Sequence, residues 1–198
     1  NMYKIAGEML PGVFNVASRS IATHALSILG DHQDIYATRM TGFAIMANSS
    51  VEDVMNLTAV TYLAAIKSSL PFLNFFEGFR TSHELKKIDV LEKSDLIPFI
   101  DREALYKFKQ KALSPFNKVI RGTSQNEDVY FQNTEIRNKY YDELPDIVND
   151  YMQKINSITN KYYKPFNYYG DDNATDVIVA MGSVCDTIKE TIKDLNTK

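Results

Sequence analysis

The apolar positions in the first part of the chain predict two buried β-strands with a long helix between them. Residues 13–17 form a short, mostly apolar run, and residues 72–76 form an almost continuous apolar run. Such runs are typical of parallel strands that are covered on both faces. The helix between them would then be the crossover connection that parallel strands require. The pattern therefore predicts an α/β fold with a parallel sheet, and a right-handed crossover if the two strands share that sheet.

The helix between the strands is predicted over residues 51–69, and Pro71 ends it. Ser49 and Glu52 have the spacing of a capping box, in which a hydroxyl and a carboxylate each bind a backbone amide at the helix start. Apolar side chains recur at helical spacing and indicate one buried stripe. This stripe consists of Val51, Met55, Ala59, Tyr62 or Leu63, and Ile66.

Shorter segments before this helix have weaker patterns. Residues 2–10 carry apolar side chains at near-helical spacing and stop at Pro11, which predicts a helix. Residues 20–29 favour a short helix or a turn, and residues 35–40 favour another short strand that leads into a loop. These segments add elements to the α/β pattern without changing the fold class.

Regularity decreases after residue 80. A helix is predicted over residues 101–112, with Leu105, Phe108 and Ala112 facing inward, and residues 121–128 are polar and turn-rich. A long irregular segment in a compact protein is usually functional or wraps a neighbour. Pro145 has the place of a first-turn proline in a strong helix. The apolar face of that helix consists of Ile147, Val148, Tyr151, Met152, Ile155 and Ile158.

The last part of the chain is predicted to begin a second domain. Residues 167–175 have the composition of a linker, residues 177–181 predict a new buried strand, and Gly182-Ser183 makes its turn. The helix that follows has one apolar face, formed by Val184, Ile188, Ile192 and Leu195. We place the boundary near Asn173, which gives domains 1–172 and 173–198. Both ends are expected to be cut, because the chain opens within an apolar pattern and closes one helix after a strand.

Composition excludes several classes of protein. The 198 residues are 44% hydrophobic, enough for one good core and part of a second. The net charge of −3, without a run of one sign, argues against a nucleic-acid surface or a polybasic membrane patch. No apolar run is long enough to span a bilayer. The single Cys185 excludes a disulfide framework within the chain and is too few for an iron–sulfur cluster or a structural zinc.

Arg19 is the main candidate for ligand binding. It directly follows the first predicted strand and is flanked by Ser18 and Ser20. A guanidinium can present two parallel N–H donors to a carboxylate or a phosphate. The alternative is that Arg19 pairs with an internal acid such as Asp31 or Asp34. From the residues alone, both interpretations remain open.

Glu77 and Arg80 follow the second predicted strand and raise a similar choice. They face the same crevice as Arg19 or pair with each other. Two classes of function therefore remain, an enzyme that acts on a small carboxylate and a scaffold domain that packs against others. A carboxylate ligand at Arg19 would separate them.

The remaining chemical signals favour structural roles. His24, His32 and His83 lack the spacing of a zinc motif, and no Gly-x-Ser-x-Gly elbow supports a serine triad. Gly182-Ser183 has the place of an anion site at a helix start, but a plain connection is the simpler interpretation. Cys185 has no histidine beside it in the sequence and is interpreted as a packed thiol.

Six blocks of the sequence carry a resemblance to a known family, namely residues 1–8, 25–34, 74–84, 121–126, 129–132 and 177–185. These blocks resemble the pyruvate:ferredoxin (flavodoxin) oxidoreductases, the pyruvate synthase family. The resemblance covers essentially the whole chain in order. It implies that residues 1–172 are the later part of a pyrimidine-side, thiamine diphosphate-binding, parallel-sheet domain. Residues 173–198 would be the first strand and helix of a transketolase C-terminal-like domain.

The resemblance also implies an activity. Members of this family cleave pyruvate oxidatively with coenzyme A to give acetyl-CoA, CO₂ and a pair of electrons, which pass through 4Fe–4S iron–sulfur clusters to ferredoxin. Thiamine diphosphate with Mg²⁺ is the implied cofactor. The full-length enzyme is expected to be a homodimer in the cytoplasm, or in a hydrogenosome-like organelle of an anaerobic protist. A related alternative carries the same core fused to a flavin reductase domain, with NADP or flavodoxin as acceptor.

The substrate arginine of the family lies in a Val-Ala-Ala/Ser-Arg segment, which here is Val16-Ala17-Ser18-Arg19. The resemblance therefore implies that Arg19 binds the pyruvate carboxylate. The activating glutamate, an active-site threonine, the Mg²⁺–diphosphate loop and the cluster cysteines of the family are expected outside residues 1–198. No catalytic residue and no metal ligand is implied in this chain, which is expected to be inactive alone.

Overall fold

A computed structural model describes residues 1–120 and 123–197 and contains a sheet of three parallel strands. The strands are β1 (Gly12–Ser18), β2 (Ala44–Ala47) and β3 (Pro71–Glu77), and β3 pairs with both others. This confirms the α/β fold, the parallel sheet and the two strands predicted first. Strand β2 was not predicted, because four residues are too few to show a pattern.

Strand β3 is covered on both faces. Its alternate side chains serve two apolar clusters, which explains why its sequence does not alternate. Phe72 packs with residues of helices α3 (Val51–Ser68) and α7 (Asn138–Thr159) in the larger cluster. Leu73 packs with Ala6 and Phe43 in the smaller one, on the side of helix α1 (Met2–Gly7). The centre of the sheet is therefore the core of this part of the chain.

Strand β1 is an edge strand and is less buried than predicted. Phe14 is 42% exposed, although Ser18 at the end of the strand is fully buried. The order β1–β3–β2 gives β1 one partner among the described residues, so its outer edge carries no strand. The prediction of a fully buried first strand is wrong in this respect.

Helix α3 has the predicted position and ends at Ser69, whose φ of +59° places it in the left-handed region. Its cap differs from the predicted one by one residue. Ser50 accepts a hydrogen bond from the amide of Asp53 (3.2 Å), and the Ser49 hydroxyl donates to the Asp53 carboxylate (2.6 Å). Glu52 instead pairs with Lys161 at 2.8 Å. The cap lies at Ser50 because this residue has the extended backbone that an N-cap requires.

The buried surface of α3 is wider than a single stripe. The helix packs against the sheet on one side and against α7 on another, so small and polar residues are buried as well. Of the predicted stripe, Ala59 and Leu63 are buried, whereas Tyr62 is 47% exposed. The buried residues are Asn56, Leu57, Ala59, Val60, Thr61, Leu63, Ala64, Ala65 and Ser68.

A chain of side-chain amides crosses the sheet and links it to α3. Asn74 of β3 donates to Asn15 of β1 (2.8 Å) and to the hydroxyl of Thr58 in α3 (2.7 Å). Asn48, just after β2, donates to Asn74 at 2.9 Å. Buried amides need such partners, since an unpaired one costs about 1–3 kcal/mol. Side-chain amides therefore connect all three strands, from the fully buried Asn48 and Asn74 to the exposed Asn15.

Between β1 and β2 the structure differs from the predictions. Residues 20–29 form bends rather than a helix, with Leu26 85% exposed. The predicted strand over residues 35–40 is wrong. Helix α2 (Gln33–Thr38) and a 3₁₀ turn (Arg39–Thr41) occupy it. Asp34 in the first helical turn and Ile35 on the buried side favour this helix.

In the second half, the irregular stretch contains short helices. These are a 3₁₀ turn (Thr81–His83), α4 (Lys93–Leu96), a 3₁₀ turn (Ile97–Phe99), α5 (Arg102–Gln110) and α6 (Glu127–Glu135). Helix α5 confirms the predicted one, and Asp101 caps it, but Phe108 and Ala112 are exposed. Part of the predicted polar segment, Arg121-Gly122, lies outside the described residues.

Helix α7 is longer than predicted. It begins at Asn138, so Pro145 lies inside it rather than in its first turn. Its predicted face is confirmed at four positions, and Ile158 at the far end is 42% exposed. The four buried side chains are Val148, Tyr151, Met152 and Ile155.

The segment after α7 does not form the predicted buried strand. Residues 177–181 have no regular structure, and Val179 is 88% exposed. Helix α8 (Val184–Asn196) confirms the predicted helix, but it has no buried residue. The domain boundary near Asn173 stays a prediction. None of the helices in the described ranges is long and apolar enough to cross a membrane.

Candidate functional site at the carboxyl edge of the sheet

Arg19 lies at the carboxyl edge of the sheet, where parallel α/β sheets bind their ligands. Its backbone amide donates to the carboxylate of Asp34 (3.0 Å), and its backbone pairs with Gly30 in an antiparallel bridge. The neighbouring strand comes close, because the Gly78 amide donates to the Ser18 carbonyl at 2.9 Å. The backbone of Arg19 is therefore fixed on both sides.

The guanidinium of Arg19 makes no hydrogen bond or ion pair within residues 1–120 and 123–197. The alternative of an internal ion pair is not realised, since both candidate acids bind other groups. Asp34 accepts from the Arg19 backbone amide. Asp31 accepts from the Ser20 hydroxyl (3.1 Å) and from the amide of His32 (2.6 Å). Arg19 is therefore partly buried, and within the described residues no acid pairs with its guanidinium.

The two serines beside Arg19 hold the loop rather than present free hydroxyls. Ser18 is fully buried and donates to the Phe76 carbonyl at 3.2 Å. Ser20 donates to Asp31. Both bonds fix the chain on either side of Arg19, so the arginine is the main anion-binding group that this sequence segment offers.

Glu77 lies at the same edge but does not pair with Arg80. It accepts a hydrogen bond from the Ser183 hydroxyl, and its Oε1 lies 3.5 Å from Nε2 of His32. Arg80 is exposed and forms no ion pair among the described residues. Glu77 therefore lies at the same edge as Arg19, whereas its pair with Arg80 is replaced by a cluster of Glu77, His32 and Ser183.

This cluster was not predicted from the sequence. Its three residues are far apart in the chain and belong to the loop before α2, the end of β3 and the turn before α8. The His32 ring also packs edge-on against Phe75, with ring centroids 5.1 Å apart. The sequence singled out Glu77, His32 and the Gly182-Ser183 turn separately, and nothing in it indicated that they meet. The cluster joins the last described segment to the edge that carries Arg19.

The remaining candidates have structural surroundings. The Ser183 hydroxyl already binds a carboxylate, which disfavours an anion at the Gly182-Ser183 turn. His83 contacts the Ser82 hydroxyl on the surface, at 2.8 Å. Burial raises the pKa of the Cys185 thiol above its ordinary value, which makes it a weaker nucleophile and favours the packed-thiol interpretation.

The family model for pyruvate flavodoxin/ferredoxin oxidoreductases, in its thiamine diphosphate-binding domain, matches residues 1–153. This match covers most of the chain, including the whole sheet and Arg19. The chain belongs to this family.

Relatives named in the comparisons agree with the family match over the full chain. A pyruvate-flavodoxin oxidoreductase of Enterobacter agglomerans is 56% identical over 198 residues. A pyruvate:ferredoxin oxidoreductase of Moorella thermoacetica is 50% identical over the same length. A pyruvate dehydrogenase [NADP(+)] of Cryptosporidium parvum is 47% identical. The chain spans 17% of the first two proteins and 10% of the third.

Potential metal-ligating side chains do not cluster in the described part of the chain. No group of three or more His, Cys, Asp or Glu side chains within them is arranged to hold a metal ion. The acids nearest Arg19 already accept hydrogen bonds from the backbone and from Ser20. What this part of the chain supplies at its carboxyl edge is a cationic side chain on a rigid backbone.

Proposed function

We propose that the protein containing this chain cleaves pyruvate oxidatively with coenzyme A, giving acetyl-CoA, CO₂ and a pair of electrons for ferredoxin or flavodoxin. Membership of the family and the activities named for the relatives support the proposal. The observation that carries it in this chain is the Arg19 guanidinium, which lies at the carboxyl edge and has no hydrogen-bond or ion-pair partner among the described residues.

Arg19 binds the pyruvate carboxylate in this proposal. A planar guanidinium donates two parallel hydrogen bonds to a carboxylate, which fixes the orientation of the substrate as well as its charge. The Arg19 amide donates to Asp34 and the Ser18 carbonyl accepts from the Gly78 amide, so the backbone from which the side chain extends is held in place. An oriented substrate reacts faster because the entropy of alignment is lost before the chemical step.

The cofactors and partners of the whole protein are part of the same proposal. They are thiamine diphosphate with Mg²⁺, 4Fe–4S clusters, coenzyme A, and a second copy of the protein in a homodimer. Bound thiamine diphosphate supplies the nucleophile and the electron sink for the 2-oxoacid. These groups are held mainly by residues outside this chain, whose own contribution is substrate recognition.

A second electron acceptor is supported by one relative. The Cryptosporidium parvum protein is named a pyruvate dehydrogenase that uses NADP(+), and it is 47% identical to the chain over 198 residues. The acceptor is therefore ferredoxin or flavodoxin in the main proposal, and NADP through a fused flavin reductase domain in the alternative.

Steady-state kinetics of the full-length enzyme with pyruvate test the role of Arg19. Arg19→Lys keeps the charge but loses the fork, and the loss of one charge-assisted hydrogen bond, about 1.5–3 kcal/mol, lowers kcat/KM by about ten- to a hundredfold. Arg19→Ala lowers it further. Thiamine diphosphate affinity stays unchanged in both variants.

Arg39→Ala is the matched control. Arg39 is an exposed arginine that precedes β2, at the opposite edge of the sheet, and its guanidinium binds the Tyr36 carbonyl at 2.6 Å. Wild-type kcat/KM in Arg19→Ala would remove Arg19 from the site. A loss explained wholly by weaker thiamine diphosphate binding would assign the arginine to the cofactor instead.

A further inference from the structure

The backbone at the end of β3 touches the side chain of Arg19. A Cβ atom added at Gly78 would lie 2.7 Å from both Cγ and Nε of Arg19, and 2.8 Å from the Ser18 carbonyl oxygen. Cβ contacts this short are essentially absent from proteins. Two of the three close atoms thus belong to Arg19, the side chain that binds the substrate in the proposed function.

The constraint at Gly78 is one of space and not of backbone conformation. Gly78 is absent from the glycines with a positive φ, which are Gly42, Gly170 and Gly182 among the described residues. An alanine can therefore adopt its backbone angles, and the only cost of a methyl group is the contact that it makes.

The backbone of Gly78 has little freedom to move away from a new methyl group. Its amide donates to the Ser18 carbonyl at 2.9 Å. On another side lies Gly30, where an added Cβ would be 2.8 Å from the Gly78 carbonyl oxygen. Gly30 itself pairs with the backbone of Arg19. Of the three close atoms, the two in the flexible Arg19 side chain yield first, whereas the Ser18 carbonyl oxygen belongs to the backbone and keeps its contact with the new methyl group.

We propose that Gly78 is a positioning residue for Arg19, which it serves by lacking a side chain. The missing Cβ lets the stem of the arginine lie against the end of β3, and this contact aims the guanidinium across the carboxyl edge. A methyl group at this position displaces the stem by about 1 Å, which for a substrate-orienting group can cost up to a hundredfold in rate. The inference rests on the proposed function of Arg19.

A double-mutant cycle in the full-length enzyme tests this role. The variants are Gly78→Ala, Arg19→Ala and the two combined, each measured for pyruvate kcat and KM and for thiamine diphosphate affinity. We expect Gly78→Ala to lower kcat/KM about tenfold with unchanged thiamine diphosphate binding. In the Arg19→Ala background the same change is expected to have a clearly smaller effect, because the displaced side chain is gone and only the contact with the Ser18 carbonyl remains.

Gly12→Ala is the control for a glycine in the same sheet. An added Cβ at Gly12, the first residue of β1, has nothing within 4 Å, so wild-type kinetics are expected. Gly30→Ala is the structural comparison, since its methyl group would meet backbone and not the Arg19 side chain. Its effect on kcat/KM is expected to be the same with arginine or alanine at position 19.

The outcomes separate the two hypotheses. If Arg19→Ala is harmful and Gly78→Ala reduces kcat/KM by the same factor in both backgrounds, Gly78 acts independently of Arg19 and the inference is wrong. The inference is also wrong if Gly78→Ala has the kcat/KM of the wild type. If Arg19→Ala itself has no effect, the proposed function of Arg19 fails, and the inference fails with it.

Solubility provides a second test if Gly78→Ala does not fold. Arg19→Ala removes two of the three close contacts of the new methyl group. We therefore expect the double variant to give more soluble protein and a higher thermal midpoint than Gly78→Ala alone, with the contact at the Ser18 carbonyl accounting for any remaining loss. A double variant as insoluble as Gly78→Ala would place the conflict at the Ser18 carbonyl and overturn the positioning role.

Discussion

Strand β3 and the segment 164–180 have similar apolar content in their best stretches but opposite surroundings. Five consecutive residues of β3 are buried, and Phe75 has no exposed surface. Every residue from 164 to 180 is exposed, including the apolar run that begins at Val177. Strand β3 has a strand on each side and helices on its faces, whereas the later segment has none of these within the described residues. An apolar run therefore predicts that a segment is suited to burial, but whether it is buried depends on the elements that pack against it.

The largest difference in stability between the two regions is expected when a phenylalanine in each is replaced by alanine. Phe75→Ala removes a fully buried ring and should cost about 3–5 kcal/mol in the free energy of unfolding. Phe166→Ala, at a ring that is 88% exposed, should change it by less than about 0.5 kcal/mol. Hydrogen exchange of the amides in α3 and β3 measures both. Equal losses in the two variants would show that segment 164–180 is buried in the protein as it exists.

Tyr163 marks the last point at which the chain is fixed before this segment, and its loss should have an intermediate effect. Its hydroxyl donates to Asp53 (3.2 Å) and accepts from Asn56 (3.0 Å), both in α3. Tyr163→Phe should cost about 1–2 kcal/mol in the stability of the α3–α7 contact. Tyr162→Phe is the control, because Tyr162 is 85% exposed. Faster amide exchange at the end of α7 in the first variant alone would confirm the anchor.

The pH dependence of this anchor has a definite sign. Burial raises the pKa of the Tyr163 phenol above its ordinary value of 10.0, so the folded state favours the neutral form. Its contribution is complete below that value and is lost as the pH rises above it. The stability difference between wild type and Tyr163→Phe should therefore be constant at neutral pH and shrink in strongly alkaline solution. A difference that grows with alkaline pH would contradict the assignment.

Ser183 fixes the chain again after the exposed segment, and the smallest effect is expected there. Ser183→Ala removes its hydrogen bond to Glu77 and should cost about 1 kcal/mol, seen as faster amide exchange in α8. The loss stays local because α8 has no buried residue. Ser157→Ala, whose hydroxyl binds a carbonyl within its own helix, is the control. Unchanged exchange in α8 would show that other contacts hold this helix.

Local pattern was sufficient to predict the parts of the fold that lie in one continuous stretch. The crossover from β1 through α3 to β3 was predicted because each element has a clear period or a clear apolar run. The exact cap of α3 was missed because Ser49 and Ser50 are both suitable, and only backbone conformation separates them. Strand β2 and helix α2 are too short for their periods to be read.

Only the part of the candidate site that lies in one continuous stretch of sequence was predicted. Arg19 was visible because it directly follows a strand, and the family resemblance named it. The contacts that define its surroundings join Arg19 to Asp34, Gly78 and Gly30, and those that form the cluster join His32, Glu77 and Ser183. These contacts depend on the tertiary arrangement of strands and loops, which a single sequence does not reveal.

The amide chain of Asn15, Asn74 and Asn48 also has a consequence for how faithfully the sheet folds. If β1 paired with β3 one residue out of step, Asn15 would turn to the opposite face. Asn74 would then keep a buried amide without its partner across the strand, at a cost of about 1–3 kcal/mol. A purely apolar pair of strands tolerates such a slip more easily, so the asparagines discriminate against misfolded pairings. Arg19, at the end of β1, reaches its position at the carboxyl edge only when β1 and β3 pair in the correct register.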